Sequence, residues 1–157
     1  MLPFSVQTQK SIRKGLFEED VYELYAKARS WNDLSRSYIS FARPMLEAGF
    51  CKAALVVSHM SVKAKLKQIY LQSEGKFPPE DMYYDDLISR LRRVADIDLE
   101  TELFLNTLHY IAESEDSALL PQNDGDQLSK MIERVERTLE RLDLCAVGDG
   151  VIIRLEN

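Results

Sequence analysis

Few side chains in this sequence are equipped for acid–base or phosphate chemistry. There are two histidines, His59 and His109. An imidazole titrates near neutral pH, so the two would form an acid–base pair if the fold brought them together; each also suits a hydrogen-bonded position in a core. They are the only candidates for catalysis. Lys63 and Lys67 stand four apart and share a helix face, whereas Lys65 between them falls elsewhere on the cylinder. With Arg43 and Tyr84 they make up the candidate ligand-binding set. Tyr84 belongs to an aromatic group, with Tyr83, Phe77 and Tyr70, around the Pro78-Pro79 loop. That group reads either as packing under the loop or as a platform for a nucleotide ring beside the lysines.

Other chemistries find no support. Cys51 and Cys145 form no CxxC pair, and no further Cys or His stands at metal-ligand spacing, so no metal site is expected and two reduced thiols are. Asp85/Asp86 and Asp96/Asp98 lie near helix starts, where they suit caps. Glu-x-x-His, the P-loop, GxGxxG and GxSxG are all missing, and no cofactor is called for.

The elements that must position these residues are helices. Residues 1–14 are weakly patterned and read as a loose arm. Glu18, Glu19 and Asp20 open a helix with Val21, Leu24, Tyr25 and Ala28 on one stripe. Ser30 or Asn32 then offers a cap for a second helix striped by Leu34, Tyr38, Phe41 and Met45. Pro44 should kink or restart it, and Gly49 should end it. The strongest helix covers 50–71 and carries Ala54, Leu55, Ser58, Val62, Leu66, Ile69 and Tyr70, the signature of a central bundle element.

After the 73–79 loop, a helix starting at Asp81 or Tyr84 places Leu87, Leu91 and Val94 inward. Asp98 caps another over 99–113, with Leu103, Leu105, Leu108, Ile111 and Ala112 as its apolar set. A last helix over 128–142 is striped by Leu128, Met131, Ile132, Val135, Leu139 and Leu142. Two β-prone runs, 144–147 and 151–155, flank Gly148-Asp149-Gly150 and predict a hairpin. The expectation is an all-α, single-domain protein: an up-and-down bundle of four or five core helices over 15–143, with a short C-terminal β-hairpin over 144–155.

Composition sets limits on partners. The chain has 157 residues, 45% hydrophobic and 29% charged, as in an ordinary globular protein. No signal-peptide pattern opens it and the longest apolar run, 53–57, cannot span a bilayer, so a cytoplasmic protein with no membrane partner is expected. The net charge of −6 is uneven. Residues 1–76 carry 12 basic and 7 acidic side chains, and residues 77–157 carry 8 and 19. An overall acidic balance disfavours broad nucleic-acid binding, which needs many phosphate-neutralising cations.

The stretch from Gly49-Phe50 through Val62-Lys-Ala-Lys-Leu-Lys67, then the Gly75…Pro78-Pro79 loop and Asp86-Leu87, resembles the HEPN family. Members show a Gly-aromatic turn, a long helix ending in a Lys-rich segment, a G…PP loop and a His-Asp-Leu that opens the next helix. The resemblance covers about residues 34–142. It departs from the family where Asp85 stands for the His before Asp-Leu and Lys63 for the usual Glu. RNase members carry an Arg a few residues ahead of a His. No Arg stands so before His59 or His109, and Asn106 cannot replace its bidentate grip on phosphate. The resemblance therefore implies a non-catalytic HEPN-like interaction module, acting as a homodimer or on another protein through the long-helix face and the hairpin. A nucleotide- or RNA-binding or processing protein of toxin–antitoxin or defence type is the alternative.

Overall fold

Local signals set most helix boundaries in this chain, and burial sets the rest. The computed structural model describes residues 2–115 and 125–147, with side chains described over 21–115 and 125–145. The elements are α1 (Leu2–Glu47), α2 (Cys51–Glu74), α3 (Tyr84–Leu91), α4 (Leu99–Glu113) and α5 (Gly125–Val147). The fold is an all-α helical bundle, as expected, and among the described residues there is no strand. No described helix is long and apolar enough to cross a membrane.

The expected hairpin fails at its first arm. Leu144–Val147 form the last turn of α5, so they cannot be a strand; residues 148–157 lie outside the described residues. The α5 stripe of Leu128, Ile132, Val135, Leu139 and Leu142 is buried, and its helical register carries on to Cys145. That thiol stands 3.3 Å from the Ala95 carbonyl, to which it donates. Tertiary packing thus outweighs the β propensity of four residues.

The α1 segment is one helix, where a loose arm and two separate helices were expected. Between 21 and 43 no Gly or Pro interrupts it. Asn32, expected as a cap, instead turns its side-chain oxygen to Lys65 Nζ at 2.6 Å. Pro44 sits in the final turn, where it removes one backbone bond without ending the helix. Gly49, at φ +88°, then reverses the chain, with Phe50 N–H bonded to Met45 O at 2.8 Å.

The reversal lays α1 antiparallel on α2, and the contact is made by small residues. Ala28, Ser35 and Ala42 of α1 are buried, whereas Leu34 and Phe41 of the expected stripe are exposed. Ser35 Oγ donates to Ser61 O at 2.9 Å and Ser61 Oγ donates to Ser35 O at 2.6 Å. Reciprocal hydroxyl-to-carbonyl bonds require the two backbones to approach closely, which large side chains would prevent.

The α2 helix is the central element. From Ser61 to Leu71 nearly every residue is buried, because α1, α3, α4 and α5 all pack on it. Most of its long face is therefore core. Lys65 is 1% exposed. Its ammonium reaches Asn32 of α1 at 2.6 Å, Gln68 of its own helix at 2.8 Å and Asp143 of α5 at 2.5 Å.

Asp98 caps α4 as expected, accepting from Thr101 N–H at 2.7 Å. Lys52 of α2 closes the other end of α4, donating to the carbonyls of Ile111 at 2.5 Å and Ser114 at 2.6 Å. Leu103, expected inside, is exposed; Thr101 and Phe104 are buried in the stripe with Leu105, Leu108 and Ala112.

Lys65 is buried and Asp143 partly exposed, so removing the carboxylate leaves a buried charge with too little compensation. Asp143→Ala should lower unfolding free energy by about 2 kcal/mol in urea denaturation, less than for a fully buried pair because water reaches Asp143. The double variant Lys65→Met/Asp143→Leu should lose less than the single one. A loss below about 1 kcal/mol for Asp143→Ala would mean that Asn32 and Gln68 suffice to hold the ammonium.

Candidate functional site

Helical geometry distributes the polar residues of α2 between two sides. Ser58, Ser61, Lys65 and Gln68, spaced by three and four, belong to the side used by α1 and α5. His59, Lys63 and Lys67, spaced by four, form a second stripe. Opposite that second stripe stand α3 and α4. They bring up Tyr84, the first residue of α3, and His109 and Glu113 in the last turns of α4.

The result is a cleft of about 540 Å³. Lys63 and Lys67 form one wall, with Trp31 of α1 beside them. The Phe77-Pro78-Pro79 loop and Tyr83 form the rim, and Tyr84, Leu87, His109 and Glu113 the other wall. Phe77 and Tyr83 are 46% and 78% exposed, so their rings are only partly used for packing. Tyr70, grouped with them by sequence, is a core residue.

Beneath the cleft three rings meet. Tyr84 stacks on His109 with centroids 4.4 Å apart and planes 13° from parallel, and His59 meets the Tyr84 ring edge-on at 5.2 Å. His59 Nε2 and His109 Nδ1 are 2.9 Å apart. Glu113 Oε1 lies 3.5 Å from the same His59 nitrogen.

One proton must sit between the two imidazoles. His59 Nδ1 is buried with no partner among the described residues, so an N–H there would be an orphaned donor. The arrangement that avoids this cost puts the His59 proton on Nε2, donated to His109 Nδ1. His109, accepting at Nδ1, has its ring N–H on Nε2 in that arrangement.

Burial pushes the His59 pKa down to about 3, with His109 and Lys63 adding to the shift, so His59 is uncharged at neutral pH. Burial also lowers the Lys67 pKa, aided by Lys63 and Lys27. The Tyr84 hydroxyl is pushed well above its usual value by burial and then by Asp85, and it too lacks a described partner.

Of the residues singled out by sequence, the cleft gathers Lys63, Lys67, Tyr84 and His109 around His59. It does not include Arg43. That residue lies at 2.8 Å from Glu136 in a surface ion pair between α1 and α5, because its place on α1 turns it toward α5. Trp31, Glu80, Met82 and Glu113 also line the cleft, without having been singled out by the sequence. Glu113 follows His109 by one helical turn, a spacing visible in the sequence once His109 is chosen. Trp31 carried no signal, since its approach depends on how α1 crosses α2.

No protein-family model matches the chain, and a search of curated proteins returns no match.

The depressed His59 pKa has a consequence for stability. Below pH 6.5 the unfolded chain binds a proton at His59 that the folded chain refuses, so stability is complete above 6.5 and falls as pH drops toward 3. The slope from this group should approach 1.4 kcal/mol per pH unit, to order of magnitude. In urea denaturation at pH 7.5, 6 and 5, His59→Leu should flatten the decline; an unchanged slope would show that other groups cause it.

Proposed function

We propose that the chain is a ligand-binding module whose cleft takes a small anionic molecule carrying a flat ring, of the nucleotide class. The observation that carries this reading is the convergence of two lysines and a stacked tyrosine–histidine wall in one cleft. Among the described residues neither Lys63 nor Lys67 forms an ion pair, so both ammoniums are available to a phosphate, while Glu80 and Glu113 are the carboxylates of the same cleft. Phe77 and Tyr83, exposed at the rim, supply faces on which a base can stack, and the buried Tyr84–His109 stack backs them. The volume is within the usual range for small-molecule sites. The resemblance of residues 34–142 to HEPN domains agrees with this choice of ligand, and the missing Arg…His pattern favours binding over RNA cleavage.

Titration of the full chain with AMP, ATP, a dinucleotide and a short RNA, followed by calorimetry and thermal melting, tests the reading. A ligand at a hundred times its Kd should raise Tm by roughly 5–10 °C. Lys63→Ala/Lys67→Ala should weaken binding at least tenfold without lowering the Tm of the free chain, since it removes mutual repulsion. With two cations engaged, log K should fall with log salt by a slope no steeper than about −1.5. A steeper slope would point to an extended nucleic acid, and no binding by any of the four would overturn the proposal.

A second reading, self-association, is favoured by one feature. Leu99, Leu103 and Tyr110 lie along a single outer face of α4, each more than half exposed. The neighbouring carboxylates Glu100 and Glu102 are already paired with Arg134 and Arg92. Such a face is self-complementary for a two-fold dimer. Light scattering should then report twice the chain mass, reverting to a monomer in Leu103→Glu; a monomeric wild type would remove this reading.

A further inference from the structure

The same three rings and one carboxylate suggest a chemistry that does not depend on a nucleotide. We propose that His59, His109 and Glu113 form a binding site for a divalent transition metal of the zinc class at the floor of the cleft.

The ligand atoms come from two helices. His109 and Glu113 are one turn apart on α4 and share a face, and His59 approaches from α2. His59 Nε2 is 2.9 Å from His109 Nδ1 and 3.5 Å from Glu113 Oε1, and all three atoms lie within 4.8 Å of one another. Two ligand atoms on a tetrahedral zinc stand roughly 3.3 Å apart, given bonds of 2.0–2.1 Å. The histidine pair must therefore open by a few tenths of an ångström, and Glu113 must swing inward. That movement is cheap because the Glu113 side chain is 58% exposed at the rim.

Two imidazoles and one carboxylate match zinc, iron, nickel or copper better than magnesium or calcium, which prefer all-oxygen sets. Three protein ligands leave a fourth position facing the cleft, beside Lys63 and Lys67.

Binding needs no net proton release. In the metal-free chain the His59 proton occupies Nε2; when that proton moves to Nδ1 the Nε2 lone pair is freed, and the metal takes it. Nδ1 has no described acceptor, and an outer partner for a ligating histidine is usually worth 10–100-fold in affinity. Lys63, close enough to act on His59, weakens cation binding further. The expected affinity is accordingly micromolar, well short of a structural zinc site.

Chelator-treated full-length chain, titrated with Zn²⁺ by calorimetry and with Co²⁺ by visible spectroscopy in the absence of any nucleotide, tests the site. The expected result is one metal per chain with a micromolar Kd and a nitrogen/oxygen-type Co²⁺ spectrum. Glu113→Gln should weaken it several-fold and His109→Ala at least tenfold, each keeping the wild-type Tm within a few degrees. Imidazole ¹⁵N spectra of a zinc-like diamagnetic complex should show the His59 proton moved from Nε2 to Nδ1. Binding that survives His109→Ala, or that disappears in Cys51→Ser/Cys145→Ser with a thiolate-type spectrum, would overturn the proposal, as would no binding below millimolar metal. Because no nucleotide is present, failure here leaves the ligand-binding reading to its own test.

Discussion

A single ammonium group in the interior fixes how the long helices meet. Lys65 is held by three acceptors that belong to α1, α2 and α5, and no shift of register between those helices keeps all three within reach. Burying an ion pair seldom adds net stability, because desolvation consumes most of the Coulombic gain. Its effect here is to penalise alternatives: slide α1 by one turn and the charge loses Asn32, rotate α5 and it loses Asp143. The reciprocal Ser35–Ser61 bonds, one turn away along α2, impose the same register on the same pair of helices by a neutral route.

This constraint reaches the cleft through the geometry of one helix. Residues two apart on an α-helix point about 200° apart, so Lys65 in the core commits Lys63 and Lys67 to the opposite side, along with His59. Three lysines that look like a basic run are therefore one structural cation and two that face the cleft. On that side α2 meets α4, whose position is set at one end by the Asp98 cap and at the other by Lys52 on its terminal carbonyls. The His59–His109 pair thus rests on polar contacts at both ends of α4 as well as on the Leu55, Leu105 and Leu108 core.

What could be read from the sequence divides along the same line. The Asp98 cap, the α4 limits, the α5 stripe and the loop at Gly75–Pro79 rest on signals within a few residues, and they are where the sequence places them. The α1 stripe was misread because Leu34 and Phe41 look like core residues while Ser35 and Ala42 do not; only a partner helix at close range makes small residues the buried ones. Leu144–Val147 look β-prone in isolation and are helical because α5 already has a buried face to extend. Lys63, Lys67 and Tyr84 were identifiable by type, but the meeting of His59 with His109 spans 50 residues and depends on how α2 and α4 pack. Arg43 was grouped with them on charge alone, and charge does not reveal which helix face a residue occupies.

The cleft also bears a cost that the rest of the bundle does not. Burial, and then repulsion from Lys63, depresses the Lys67 pKa, and His59 and Tyr84 keep polar atoms buried without described partners. Each of these departures opposes folding, and a core built for stability alone would replace them with apolar side chains. They lie together on one side of α2, while the opposite side satisfies its buried lysine and serines in full. Gln72 of α2 and Asn106 of α4 also keep a buried side-chain oxygen without a described partner, so these departures are concentrated at the cleft and not confined to it. Polar groups held in place before a ligand arrives leave the ligand to supply the compensation the protein withholds. An anion between the lysines would relieve their repulsion and raise the Lys67 pKa toward its ordinary value, so binding, local charge and stability are linked through the same few residues.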